Sequence, residues 1–167
     1  MFNSARLTFT LITHEDHNDV RATLNDQNTC EMLSFMRWPL TDEQVTYWCD
    51  KAVEGAKEES EYLFIARNGH RAIGCIGIHK DQDEPTKAEI GYWVSPNHQR
   101  QGYANEMLVY ALDYAQNDLG IKNFYATADN ENPASANLLI KHDFIESGEK
   151  LVESQNNAPR PSKLFTR

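Results

Sequence analysis

Glu89-Ile90-Gly91-Tyr92-Trp93-Val94-Ser95-Pro96-Asn97-His98-Gln99-Arg100-Gln101-Gly102-Tyr103-Ala104 carries the chain from a strand, through a short polar loop, into the start of a helix. Up to Ser95 the residues alternate and are rich in aromatic and β-branched types, the pattern of a strand. After Gly102, apolar residues recur at Ala104, Met107, Leu108, Ala111, Leu112, Ala115 and Leu119, which is helical spacing with one buried face. A loop that delivers backbone N–H groups to a helix N-terminus suits a phosphate, because first-turn amides lack partners and the helix dipole favours negative charge. Gly102 and Ala104 have the smallest side chains available, so a pyrophosphate can approach the backbone closely.

Working outward, residues 6–13 alternate in part and read as a first strand, and residues 16–24 and 42–56 as helices. Thr41 is placed to cap the second of these, with Gln44 completing a capping box. Residues 61–67 and 71–79 read as a hairpin turning at Asn68-Gly69. Residues 87–95 form the fourth strand, and the long helix after it ends at Gly120 as its C′ residue. Residues 121–129 read as a fifth strand, Pro133 opens a short helix through 141, and residues 144–153 and 162–166 are the last strands. With no repeat, linker or low-complexity segment, residues 1–167 are expected to form one domain, an α/β or α+β mixed sheet.

The Gln99-Arg100-Gln101-Gly102-Tyr103-Ala104 loop resembles the acyl-CoA pyrophosphate loop of the GNAT superfamily, Gln/Arg-x-x-Gly-x-Gly/Ala. The preceding Ala88 to Val94 looks like the strand 4 signature of the branch containing the Rim-type ribosomal-protein N-terminal acetyltransferases. Asn132-Pro133-Ala134-Ser135 and Lys141-His142-Asp143-Phe144 are similar to that branch's Asn-x-x-Ser and Lys-x-Gly-Phe elements, with Asp143 in place of the usual glycine. Ser4-Ala5-Arg6-Leu7 and Met36-Arg37-Trp38-Pro39 look like its amino-terminal segment. The hexapeptide alone occurs in many proteins; it is the order and spacing of the elements that carry the resemblance. It implies a GNAT fold of about seven mostly antiparallel strands, splayed between strands 4 and 5 to admit a pantetheine arm, with about four helices. It further implies acetyl-CoA as cosubstrate, an amine acceptor (a protein N-terminus or a small amine), and a family in which homodimers are widespread.

Acetyl transfer to an amine requires a held thioester, a polarised carbonyl, a neutral amine and a stabilised leaving thiolate. Glu89 shares a strand face with Gly91 and Trp93 and is the expected base, taking a proton through water; a paired structural carboxylate is its other reading. Ser135 matches the branch's serine near the sulfur and is the expected acid, with helix capping as its other reading. The tyrosine that many superfamily members use as acid is here Leu139. The resemblance assigns Asn132 and the backbone of Trp93, Val94 and Ser95 to the pantetheine. Arg100, Gln101, Gly102, Tyr103, Ala104 and Asn105 are assigned to the pyrophosphate. No activated cysteine is evident, so direct attack in a ternary complex is expected rather than an acetyl-enzyme. The alternative function is a CoA-binding sensor or interaction module without turnover.

No metal is expected: His14 and His17 stand three apart, with Asn18 where the zinc-protease spacing needs a histidine. His98 reads either as a phosphate contact or as a surface residue. Trp38 and Trp48 either line the acceptor site or pack the amino-terminal helices. The loops 30–38 and 155–161 are expected to shape the acceptor site. The 167 residues carry a net charge of −9, against a general nucleic-acid surface and suited to a cationic partner or simply to solubility. Apolar residues make up 40% and charged residues 25%, as in ordinary globular domains. No apolar run approaches the roughly 18 residues of a membrane helix, and no secretory signal is visible. The three scattered cysteines fit reduced thiols in a cytoplasmic compartment.

Overall fold

The computed structural model describes residues 6–155 and 158–167. Ser4 and Ala5 of the amino-terminal segment, and Asn156 and Asn157 of the 155–161 loop, lie outside the described residues. The strands are β1 (Thr8–Leu11), β2 (Glu61–Asn68), β3 (Arg71–Lys80), β4 (Lys87–Val94), β5 (Asn123–Asp129), β6 (Ile145–Val152) and β7 (Arg160–Thr166). The helices are α1 (His17–Leu24), α2 (Gln27–Met32), α3 (Asp42–Lys57), α4 (Tyr103–Asn117) and α5 (Pro133–Lys141). One seven-stranded sheet runs β1-β2-β3-β4-β5-β7-β6, antiparallel throughout except for the parallel pair β4 and β5. A parallel neighbour requires a crossover, and α4 supplies it. The expected mixed sheet and its splay are both present.

Alternation along the strands sends residues to two cores. Phe64, Ile76, Ile78, Ile90 and Phe124 face α4 and α5, where Met107, Leu108, Ala111 and Leu139 are buried. Leu63, Ile65, Cys75 and Trp93 face the other layer, against Val20 and Leu24 of α1, Cys30 of α2, and Val45, Cys49 and Ala52 of α3. Each such aliphatic side chain contributes about 1.5–3 kcal/mol by leaving water, so both helical layers are fixed to the sheet and the cleft between β4 and β5 has rigid walls. Thr41 caps α3 in the expected capping box with Gln44.

The structure differs from the sequence reading in several places: α4 ends at Asn117 with Asp118 as its C-cap, so Gly120 is not its C′ residue, and β7 begins at Arg160, inside the stretch expected as loop. A fifth helix, α2, is not expected from the sequence and overlaps the start of the 30–38 stretch read as loop. It is six residues long, too short for apolar periodicity to show, and rests on Asp26, whose carboxylate accepts from the Thr29 N–H and hydroxyl. The β2–β3 turn is displaced by one residue: Asn68 pairs with Arg71, leaving Gly69-His70 as the loop. Gly69 has a positive φ and His70 does not, the pattern of a type II′ turn, whose first central residue is glycine.

Candidate active site

β4 and β5 pair at Lys87↔Asn123, Ala88↔Phe124 and Glu89↔Tyr125, and then part. β5 keeps its other edge on β7, so divergence opens a cleft on the β4 side of about 1130 Å³. The Ser95 N–H donates to the Ile73 carbonyl at 2.8 Å, which directs Ser95, and by alternation Trp93, towards β3. Tyr92 and Val94 therefore turn their backbone groups to the gap. Of the three residues expected to pair with the pantetheine, Val94 is the one whose backbone faces it. Its carbonyl accepts from Gln99 Nε2 at 3.1 Å, so the Val94 N–H is the group turned to an incoming chain.

At one end of the cleft the polar loop feeds α4. Arg100 and Gly102 take left-handed conformations, φ 60° and 82°, and so aim the first turn of α4 at the opening. Arg100, Gly102, Tyr103, Ala104 and Asn105 line this end, whereas Gln101 does not; its amide donates to the Asn97 carbonyl. Arg6 braces the loop: its guanidinium donates to the Gln101 carbonyl at 3.0 Å, lies 4.3 Å over the Tyr103 ring and pairs with Glu106. Asn105 also ties α4 to α5, accepting from Lys141 and His142. His98 lines the cleft with a buried Nδ1 that has no partner among the described residues. An orphaned nitrogen, a helix N-terminus and Arg100 together suit an anionic diphosphate.

In the middle, Ser135 of α5 and Tyr92 of β4 meet, their hydroxyl oxygens 2.9 Å apart. Burial pushes the Tyr92 phenol above its ordinary value, against the hydrogen bond with Ser135, which lowers it. Asn132 caps α5 by accepting from the Ser135 N–H at 3.1 Å. Ser135 is therefore both a capped first-turn residue and a cleft hydroxyl. Asp143 takes a left-handed conformation at φ 63°, which aspartate tolerates better than most residues.

At the far end, Glu89 lines the cleft beside Glu61 and His79. Trp48 and Phe35 stack with centroids 5.8 Å apart, and Trp93 meets Trp48 edge-on at 5.2 Å. Trp93 is fixed by its Nε1–H donating to Thr23 Oγ1 at 3.0 Å. Trp48 thus lines the cleft, while Trp38 packs against the α1–α3 core. Residues 31–35 of the expected acceptor loop reach the cleft, as does Arg160, which holds the neighbourhood together through Asp129 at 2.7 Å, Glu131 at 3.2 Å and the Glu31 carbonyl at 2.9 Å. Among the described residues no cluster of His, Cys, Asp or Glu is placed to hold a metal, and His14 instead pairs with Asp50. No helix among them is long and apolar enough to cross a membrane.

Residues 6–145 match the acetyltransferase (GNAT) domain family. The chain belongs to the GNAT family. This bears out the resemblance carried by the loop, strand 4 and Asn-x-x-Ser elements. The GNAT domain is similar to the uncharacterized N-acetyltransferase YoaA of Bacillus subtilis strain 168, 32% identical over 101 residues, which are 60% of this chain and 57% of that protein. It is also similar to the ribosomal-protein-serine acetyltransferase of Escherichia coli K12, 26% identical over 106 residues, 63% of this chain and 59% of that one. The chain therefore matches somewhat over half the length of these relatives. Among solved structures, RimL, a ribosomal α-N-protein acetyltransferase in complex with coenzyme A, superposes with a TM-score of 0.88 at 15% identity, covering 98% of this chain and 94% of that one. The spermidine N-acetyltransferase of Vibrio cholerae, in complex with CoA and spermine, does so with a TM-score of 0.81 at 20% identity, covering 98% and 96%. At such identities the likeness establishes the GNAT fold.

Tyr92 and Arg6 lay within motif stretches without a role being assigned to them, and His79 and Glu61 lay outside the motifs. The signal for Tyr92 was its place on the strand face opposite Glu89. Those for His79 and Glu61 needed the register of three strands.

Proposed function

We propose that this GNAT domain transfers the acetyl group of acetyl-CoA to a primary amine by direct attack in a ternary complex. The observation that carries the reading is the cleft between β4 and β5, with a phosphate-type loop at one end, the Tyr92–Ser135 hydroxyl pair in the middle and Glu89 beyond. The diphosphate lies at the first turn of α4 beside Arg100, and the pantetheine runs along the Val94 edge of β4 with the Asn132 side chain. Glu89 takes a proton from the incoming ammonium, which restores the lone pair that attacks the thioester carbon. As the carbon–sulfur bond breaks, the Ser135 hydroxyl hydrogen-bonds the leaving thiolate, and Tyr92, its phenol kept neutral by burial, supports the Ser135 oxygen from behind; the thiolate takes its proton from water as it departs.

An acetyl-cysteine route is disfavoured by the thiols themselves. Burial pushes Cys30 up, Cys49 to about 11 and Cys75 well above its ordinary value, so none supplies a thiolate nucleophile at neutral pH. All three are free and buried, as suits a reducing cytoplasmic setting. The acceptor end is acidic: Asp26, Glu31, Glu61, Glu89, Asp129, Glu131 and Glu153 line the cleft, with Lys51 and Arg160 as the cations among them. Such a field favours a cationic amine.

The test is incubation with acetyl-CoA and a panel of small amines and peptides with free α-amino groups, followed by mass spectrometry of the acceptors. Acetylation of any amine supports the reading. Acetyl-CoA binding without acetylation of any acceptor favours a CoA-binding module instead.

A further inference from the structure

Three strands bring a carboxylate, an imidazole and a second carboxylate into one row on the α1–α3 face of the cleft. Glu61 of β2 is the register partner of His79 of β3, and His79 is the register partner of Glu89 of β4. His79 Nδ1 lies 3.5 Å from the Glu61 carboxylate, and this contact with His79 is the main cause that holds Glu61 below its ordinary value. A carboxylate at Nδ1 favours the tautomer protonated there, leaving the Nε2 lone pair on the other side of the ring.

Nε2 is turned over two glycines. Gly77 and Gly91 are themselves register partners; a Cβ on Gly77 would sit 2.8 Å from Nε2, and one on Gly91 3.8 Å from it. Leu63 Cδ2 and the edge of the imidazole together fill the space of the missing Gly77 side chain, and the bare backbone at Gly91 leaves a shelf beside Nε2. His79, Gly77, Gly91 and Glu89 all line the cleft. The charged groups of this row are Glu61 from β2 at the imidazole, Glu89 from β4 as its register partner, and Lys51 from α3, which acts on Glu61.

We propose that His79 is the terminal proton acceptor of the transfer, with Glu61 as the residue that positions it. This rests on the acetyltransferase reading. An alkylammonium is a far weaker acid than a carboxylic acid, so a proton held on a carboxylate alone is a costly intermediate. An ordinary imidazole is about two pK units, a hundredfold, more basic than a carboxylate. The N–H bond of the ammonium breaks and its electron pair stays on nitrogen for attack. The proton, received at Glu89, leaves that carboxyl O–H and passes through water to form the Nε2–H bond of a His79 imidazolium paired with Glu61. After the product leaves, Nε2 releases it to water. The His79 side chain is 38% exposed, which gives that exit a path.

The experiment measures steady-state kinetics of the full chain with an amine acceptor that the wild type acetylates. His79→Ala and His79→Gln are expected to lower kcat about ten- to a hundredfold near pH 7, with acetyl-CoA affinity unchanged. Added imidazole should restore part of the rate to His79→Ala. Glu61→Gln should move the acid limb of the kcat profile to lower pH, because an imidazolium without its carboxylate gives up its proton more readily. Wild-type kcat in both His79 variants overturns the proposal. So does a deficit that imidazole leaves untouched and that stays constant with pH, which marks a packing role. A wild type that acetylates no amine removes the acetyltransferase reading and the relay together, whereas active wild type with unimpaired His79 variants removes the relay alone.

Discussion

The hydroxyl oxygens of Tyr92 and Ser135 lie 2.9 Å apart and join β4 to α5 at the place where β4 and β5 have stopped pairing. The bond ties the two walls of the cleft. It also gives Ser135 a buried hydroxyl partner behind it, which a first-turn serine does not need for capping. Ser135→Ala is expected to lower kcat about ten- to a thousandfold, with little change in acetyl-CoA affinity. Tyr92→Phe should give a smaller loss of the same kind, since Ser135 keeps its own hydroxyl. Turnover kinetics beside acetyl-CoA titrations check both; wild-type rates in Ser135→Ala would leave that residue as a helix cap alone.

Glu89 is tested through pH. An alkylamine is almost wholly protonated at neutrality, so a carboxylate that takes its proton matters most there. Glu89→Gln keeps the shape and should lower kcat about a hundredfold near pH 7. The deficit should shrink as the amine deprotonates unaided. A deficit constant from pH 6 to about pH 10 assigns Glu89 a structural role.

The phosphate end is tested at Gly102. Glutamate there adds bulk and negative charge at the mouth of α4, and its φ of 82° strains any side chain by about 1–2 kcal/mol. Gly102→Ala carries the same strain without the charge. Acetyl-CoA should raise the melting temperature of the wild type by mass action, less so that of Gly102→Ala, and not that of folded Gly102→Glu. Equal shifts in all three proteins would move the diphosphate elsewhere.

How far the sequence reached is plain from the elements themselves. The longer strands and helices were legible because alternation and helical spacing each leave a mark over eight or more residues, as in β4 and α4. The loop from Gln99 to Ala104 was legible because glycine and a helix start are local. Six-residue α2 left no such mark, and the β2–β3 turn moved by one residue because Asn68 joined the ladder and gave its side-chain amide to the Tyr103 hydroxyl. The Tyr92–Ser135 bond and the Glu61–His79–Glu89 row depend on register and docking between segments far apart in the chain. Neither leaves a trace in any one stretch of sequence.

Stability has its own pH test. Burial works to raise Asp16, but the Thr13 N–H and the Arg67 guanidinium outweigh it and hold the carboxyl below its ordinary 3.8. Arg67 also pairs with Asp19 at 2.8 Å, so this cluster fastens the start of α1 to the end of β2. A depressed carboxylate contributes fully above its unfolded value and loses its contribution as pH falls through the folded one. Asp16→Asn should therefore cost about 1–3 kcal/mol at pH 7, with the gap to wild type closing below about pH 4. Denaturant unfolding at several pH values measures it, and a gap that persists unchanged into acid would attribute the loss to packing.

We propose that this cleft moves an acetyl group from sulfur to nitrogen. The most direct measurement is the release of free CoA thiol from acetyl-CoA, followed in time with and without an amine acceptor. Thiol release should depend on the amine, match the acetylated product mole for mole, and fall together in Glu89→Gln and Ser135→Ala. Release that ignores the amine, or a wild type that binds acetyl-CoA and never frees the thiol, would contradict it.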